Sequence, residues 1–128
     1  LVMNNLFLQN LAKLVQQSQT CLTVCTGAAL LAATGVLDGK PATTNKRAFE
    51  WVRGTRPQVR WQQKARWVST EKFYTSSGVS AGMDMTLGFI ADRWGLEAAQ
   101  EITSRCEYLW QNDPDTDPFA HSAEFESA

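Results

Sequence analysis

Apolar positions follow three different spacings along the first third of the chain. Between Leu6 and about Gln17, the residues Leu8, Leu11, Leu14 and Val15 recur on one helical face, with Asn5 placed to cap that helix. Thr20-Cys21-Leu22-Thr23-Val24 is instead a short β-branched and apolar run, which suits a buried parallel strand. Ala28-Ala29-Leu30-Leu31-Ala32-Ala33 has close to the best helix-forming composition available, and Gly35 follows as its C′ residue. Only Cys25-Thr26-Gly27 lies between strand and helix, so the chain must turn a sharp corner at Cys25.

Further along, Leu37 to Lys40 is a turn and Pro41-Ala42-Thr43-Thr44 a short strand. Asn45 then caps a helix expected from Lys46 to Arg53, which Gly54 to Pro57 breaks. Val59 to Trp61 and Ala65 to Val68 read as extended, and Phe73 to Ser76 returns as a hairpin strand after a turn at Ser69 to Lys72. The small residues Ser77 to Gly82 read as a loop before a mostly apolar helix from Asp84 to Trp94. Gly95 separates that helix from a more polar one, Leu96 to about Leu109. Strands alternating with helices predict an α/β layered fold. The Cys25 strand is apolar on both faces and should be central, yet no strand precedes it, so the chain looks like the second half of a domain.

The corner at Cys25 carries the chemistry. The first N–H groups of the following helix have no partner inside it and carry the positive end of its dipole. A thiol held beside such groups loses its proton more readily, and the same N–H groups can hold a developing oxyanion. Gly27 keeps side-chain bulk away where a substrate would approach the backbone. This is the thiol form of a nucleophile elbow. A cysteine ending an apolar strand also serves as core filler, so the spacing alone leaves both readings open.

With 128 residues the chain is one domain at most, and its 12 basic and 13 acidic residues nearly balance. That balance gives no global attraction to nucleic acid or an anionic membrane, and no apolar run is long enough to span a bilayer. Cys21 and Cys25 are about 13 Å apart along a strand, too far for a bridge, whereas a Cys21–Cys106 pair stays open. Reduced thiols and a cytoplasmic setting are the default. Asp113, Asp115, Asp117 and Glu124 have calcium-loop spacing, but Pro118 stands where that loop needs glycine, so a solvated acidic tail from Asn112 is the better reading. Trp61 and Trp67, interleaved with Arg60, Lys64 and Arg66, are expected to cover an apolar face with the basic residues pointing outward. Nothing in the sequence calls for a metal or a cofactor.

Four segments together resemble the ThiJ/PfpI family of the class I glutamine amidotransferase-like superfamily: Thr23 to Ala28, Gly35 to Gly39, Ala42 to Asn45, and Ser77 to Asp84. The resemblance runs from Leu6 to about Ala120, and is nearest the branch of isocyanide hydratases and the amidase-like domains of AraC-type regulators. It implies a flavodoxin-like α/β sandwich with a mostly parallel sheet. Residues 1–111 would be the C-terminal half to two-thirds of one such domain, and 112–128 a tail. It further implies a homodimer acting on a small molecule, with Cys25 as nucleophile, Thr26 beside it, and the N–H groups of Thr26 and Gly27 at the oxyanion. Asn45, Gly78, Val79 and Ser80 would contact substrate. Where many members carry a histidine near the cysteine, this chain has Asn45, and its single histidine, His121, lies in the tail. The family's acidic partner of the cysteine would precede Leu1. The alternatives to an enzyme are a redox or metabolite sensor, or the ligand-binding module of a regulator.

Overall fold

The computed structural model describes residues 1–121; Glu124 of the calcium-loop spacing lies outside them. In chain order the elements are α1 (Asn5–Gln17), β1 (Cys21–Thr23), α2 (Gly27–Ala33), β2 (Pro41–Ala42), α3 (Phe49–Thr55), β3 (Arg60–Trp61), β4 (Trp67–Thr70), β5 (Phe73–Ser76), α4 (Val79–Trp94) and α5 (Leu96–Cys106). No helix among the described residues is long and apolar enough to cross a membrane. The architecture is α/β. β1 and β5 pair in parallel, with Cys21 opposite Phe73 and Thr23 opposite Thr75, and β4 joins the far side of β5 as the antiparallel arm of a hairpin. A separate pair, β2 and β3, is also parallel.

Alternation along β5 divides the interior. Phe73 faces a cluster with Val15, Leu31, Leu37, Ala42 and Val59, whereas Tyr74 faces Trp67 and Met85 on the other side. Helices α1 and α2 therefore cover one face of the sheet and α4 the other. The strand expected to be central is β1, but β5 occupies the middle of the three-stranded sheet and β1 lies at its edge. Leu22 in β1 and Val24 just after it are exposed.

Several boundaries differ from expectation: β4 is shifted to Trp67–Thr70, β2 stops at Ala42 and α5 stops at Cys106, and three further differences have local reasons. Asn4, rather than Asn5, caps α1, accepting the Phe7 N–H at 3.0 Å. α3 begins at Phe49, because Asn45 Oδ1 first accepts the N–H groups of Arg47 and Ala48 in a turn that precedes the helix. Of the small residues expected as a loop, Ser77 and Gly78 are non-helical, whereas residues 79–82 are the first turn of α4. A Cβ on Gly82 would stand 2.7 Å from Val24 Cγ1, so smallness there serves close packing of α4 on the end of β1.

Candidate active site

β1 ends at Thr23 and α2 starts at Gly27, leaving Val24, Cys25 and Thr26 to turn the chain. The turn holds Cys25 at φ +59°, a left-handed conformation that costs a non-glycine residue about 1–2 kcal/mol. Neighbours on both sides pin it. The Cys25 N–H donates to the Ser77 carbonyl at 2.9 Å, and the Cys25 carbonyl accepts the Thr44 hydroxyl at 2.8 Å. Strain retained by over-determining contacts is characteristic of functional corners. Cys25 itself is half-buried.

Among the described residues its sulfur faces one donor: Asn45 Nδ2 lies 3.1 Å from Sγ. The direction of that amide follows from its other end. Oδ1 accepts two backbone N–H groups, Arg47 at 2.8 Å and Ala48 at 3.2 Å, so the nitrogen is the atom left to face sulfur. Of the two amides expected at an oxyanion, Gly27 N–H closes the corner by donating to the Val24 carbonyl at 3.0 Å. It is therefore engaged. The Thr26 N–H takes no carbonyl among the described residues, and Thr26 is exposed.

Gly78 and Ser80 line, together with Asn45, a cavity of about 190 Å³. Val79 is not brought to it. That side chain is 77% exposed and lines an apolar groove with Val24, Met83 and Ile102. Thr26 and Gly27 border a third hollow, with Leu1 and Trp51. His121 lies with Gln63 and Lys64 at a fourth.

The far wall of the Asn45 cavity is a buried charge cluster that the sequence did not suggest. Arg66, expected to point outward, is 4% exposed, with Nε 2.8 Å from Asp84 Oδ2 and Nη1 3.3 Å from Asp117 Oδ1. Asp117, expected in a solvated tail, is likewise buried, and its N–H donates to the Lys64 carbonyl at 3.0 Å. The chain leading to it also packs inward: the Pro114 carbonyl accepts the Arg66 N–H at 2.7 Å. Asp84 further accepts the Tyr108 hydroxyl at 2.7 Å. Burial and this carboxylate push Tyr108 up to about 12. Lys46 stands 3.6 Å from Asp117 Oδ2, and burial pulls its amine down to about 8, against the opposing pull of Asp117. The available clues were an arginine set between Ala65 and Trp67 and an aspartate opening an apolar helix. A charge in such company has to find a partner.

The DJ-1/PfpI family model matches residues 1–92. The chain is 32% identical over 109 residues to an isonitrile hydratase of Pseudomonas putida, covering 81% of this chain and 46% of that protein. It is 30% identical over 97 residues to the HTH-type transcriptional regulator CdhR of Pseudomonas aeruginosa, covering 76% and 29%. The chain thus spans less than half the length of these curated relatives. Among solved structures, a ThiJ/PfpI family protein from Pseudomonas syringae superposes with a TM-score of 0.63 at 25% identity, over 86% of this chain and 46% of that one. Drosophila melanogaster DJ-1beta shares the fold, with a TM-score of 0.68 at 17% identity, over 85% and 57%. With the cysteine corner, the Asn45 turn and the Gly78 helix start all inside the matched span, this chain belongs to the DJ-1/PfpI family.

Proposed function

We propose that the chain is the cysteine-bearing part of an enzyme that adds water to a small electrophile, as the name of its isonitrile hydratase relative describes. The observation that carries this reading is the 3.1 Å approach of Asn45 Nδ2 to a half-buried Cys25 Sγ held on a strained corner. The reacting form of a cysteine is its thiolate, and Asn45 supplies that anion with a donor. In the proposed cycle Sγ bonds to the electrophilic carbon, and the Thr26 N–H faces the charge that develops on the adduct. Water then adds to the same carbon, and breakage of the C–S bond releases product and returns the thiol. Asn45 cannot take a proton at neutral pH, so the proton carrier is a separate group. Substrate is proposed to approach from the cavity that Gly78 and Ser80 form with Asn45; Cys25 does not line that cavity, and the Asn45 amide is the link between it and the sulfur. The three cysteines are free thiols, in keeping with a reducing, cytoplasmic setting, and we read the working form as a homodimer.

A second reading is favoured by the likeness to CdhR and to an AraC family transcriptional regulator from Pseudomonas putida, which superposes with a TM-score of 0.58. In it Cys25 and the cavity sense a metabolite or oxidant without turnover. The test is conversion of an alkyl isonitrile to its formamide by the purified protein and by Cys25→Ser. Turnover that disappears in Cys25→Ser supports the enzyme. A protein whose Cys25 alkylates readily but which converts no isonitrile, amide or glyoxal is the sensor, and the enzyme reading fails.

A further inference from the structure

The turn that carries Asn45 has no helix or strand of its own. Residues 43–45 are irregular, so side chains must fix them. Thr43 N–H donates to Thr75 Oγ1 at 3.0 Å, and Thr43 Oγ1 donates to the Gln62 carbonyl at 2.7 Å. Beyond these and the bonds of Thr44 and Asn45 already described, three further ties come from a single ammonium. Lys46 Nζ donates to Thr43 Oγ1 at 2.8 Å, to the Thr44 carbonyl at 3.3 Å and to the Ala65 carbonyl at 2.7 Å. An ammonium has three N–H groups, and here all three are used. Lys46 is only 3% exposed, so its charge requires a buried counter-charge. Asp117 provides it. Oδ1 of Asp117 accepts from Arg66 and from the Phe119 N–H, whereas Oδ2 is buried, has no hydrogen-bond partner, and lies 3.6 Å from Lys46 Nζ. The interaction of that oxygen with Lys46 is therefore Coulombic, across the wall of the cavity that Asn45 also lines.

We propose that Lys46, anchored by Asp117, is a positioning residue for Cys25. By tying Thr43 and Thr44 to the Ala65 carbonyl it fixes the turn from which the Thr44 hydroxyl grips the Cys25 carbonyl and the Asn45 amide reaches the Cys25 sulfur. The C-terminal segment around Asp117 thereby acts on the thiol without touching it. A buried ion pair kept only for stability gives a different signature. Replacing such a pair with apolar groups is often neutral or stabilising, and it has no reason to couple to Asn45 in particular.

The inference rests on Cys25 being the reactive thiol, and the test separates the two. The rate of Cys25 alkylation by iodoacetamide is measured by peptide mapping for wild type, Lys46→Met, Asn45→Ala and the double variant. Loss of one hydrogen bond of this kind is worth about a tenfold change in rate. Both single variants should slow by about that factor, and the double variant should be no slower than either. Lys46→Arg, which keeps donors and charge, should restore most of the loss. Should Lys46→Met not fold, Asp117→Asn carries the test, with a loss of about threefold that vanishes in the Asn45→Ala background. Rates within twofold of wild type, or losses that multiply in the double variant, overturn the proposal. If wild-type Cys25 does not react at all, the nucleophile reading fails, and positioning is read instead from the Asn45 side-chain amide by NMR. Its protons should exchange slowly in wild type and quickly in Lys46→Met; equal exchange overturns the proposal.

Discussion

Asn45 holds the Cys25 sulfur and the turn before α3 with opposite ends of one amide, at 3.1 Å from Nδ2 to Sγ and 2.8 Å from the Arg47 N–H to Oδ1. The accepting oxygen dictates where the donor nitrogen points. Asn45→Asp separates the two tasks. It keeps an acceptor for Arg47 and Ala48, so the turn survives, but it places a carboxylate oxygen where the donor stood. The thiolate needed for reaction then meets a negative charge instead of an N–H. We predict alkylation of Cys25 slowed by about tenfold or more with the thermal midpoint within a few degrees of wild type. Exposed Cys106 serves as the internal reference in the same peptide map. A Cys25 rate unchanged relative to Cys106 removes Asn45 from the site.

Gly82→Ala pits two effects against each other. Alanine is favoured over glycine inside a helix by about 1 kcal/mol. The added Cβ, however, would stand 2.7 Å and 2.9 Å from the two methyl groups of Val24, a β-branched side chain with one neighbour fixed at Cys25. Overpacking of this kind costs about 1–3 kcal/mol, so the clash wins. The variant should lose net stability of about 1 kcal/mol in urea unfolding and should perturb Cys25 reactivity, because α4 can relieve the contact only by moving off the corner. A stabilised variant with normal reactivity would show that α4 and Val24 can separate at no cost to the corner.

How far the sequence carried depended on the range of the interaction. The corner at Cys25 was legible because strand, turn and helix compositions abut within three residues. Asn45 was legible as a residue that turns the chain, although it closes the turn before α3 rather than capping the helix, and the bonds of that turn are what aim it at sulfur. By contrast, Ser80-Ala81-Gly82 has the composition of a loop, and only contact with Val24, far away in sequence, explains its place in a helix. Asp117 was read as solvated because an acidic, proline-containing run has no periodicity to betray burial. Its partners, Lys46 and Arg66, are 71 and 51 residues away, and ion pairs across such separations leave no local pattern.

Arg66→Met leaves Asp84 and half of Asp117 as buried charges without their cation. Breaking a buried pair by removing one partner typically costs about 3–5 kcal/mol. Asp84 keeps the Tyr108 hydroxyl at 2.7 Å, which places the expected loss toward the lower end of that range. Arg66→Met combined with Asp84→Leu should be less destabilised than Arg66→Met alone, since the second change removes the stranded charge. Urea unfolding of the two variants decides it: a double variant weaker than the single one contradicts the pairing.

Titration of Lys46 gives a pH dependence of definite sign. In the folded protein burial lowers its amine from 10.5 to about 8. Between those values the unfolded chain holds a proton that the folded chain has released, so stability attributable to this group rises with pH across that window. Below about pH 8 the amine is protonated in both states, and the contribution is flat. Tyr108 has the opposite sign. It is raised from 10.0 to about 12, so the unfolded chain loses its proton first and stability falls above pH 10. The clean comparison is wild type against Lys46→Met in urea at pH 7, 8, 9 and 10, since the tyrosine contribution is common to both. The unfolding free energy of wild type should gain on the variant from pH 8 to 10, by no more than about 1.4 kcal/mol per pH unit. A constant difference across that range would mean that Lys46 keeps its proton in the folded state well above pH 8.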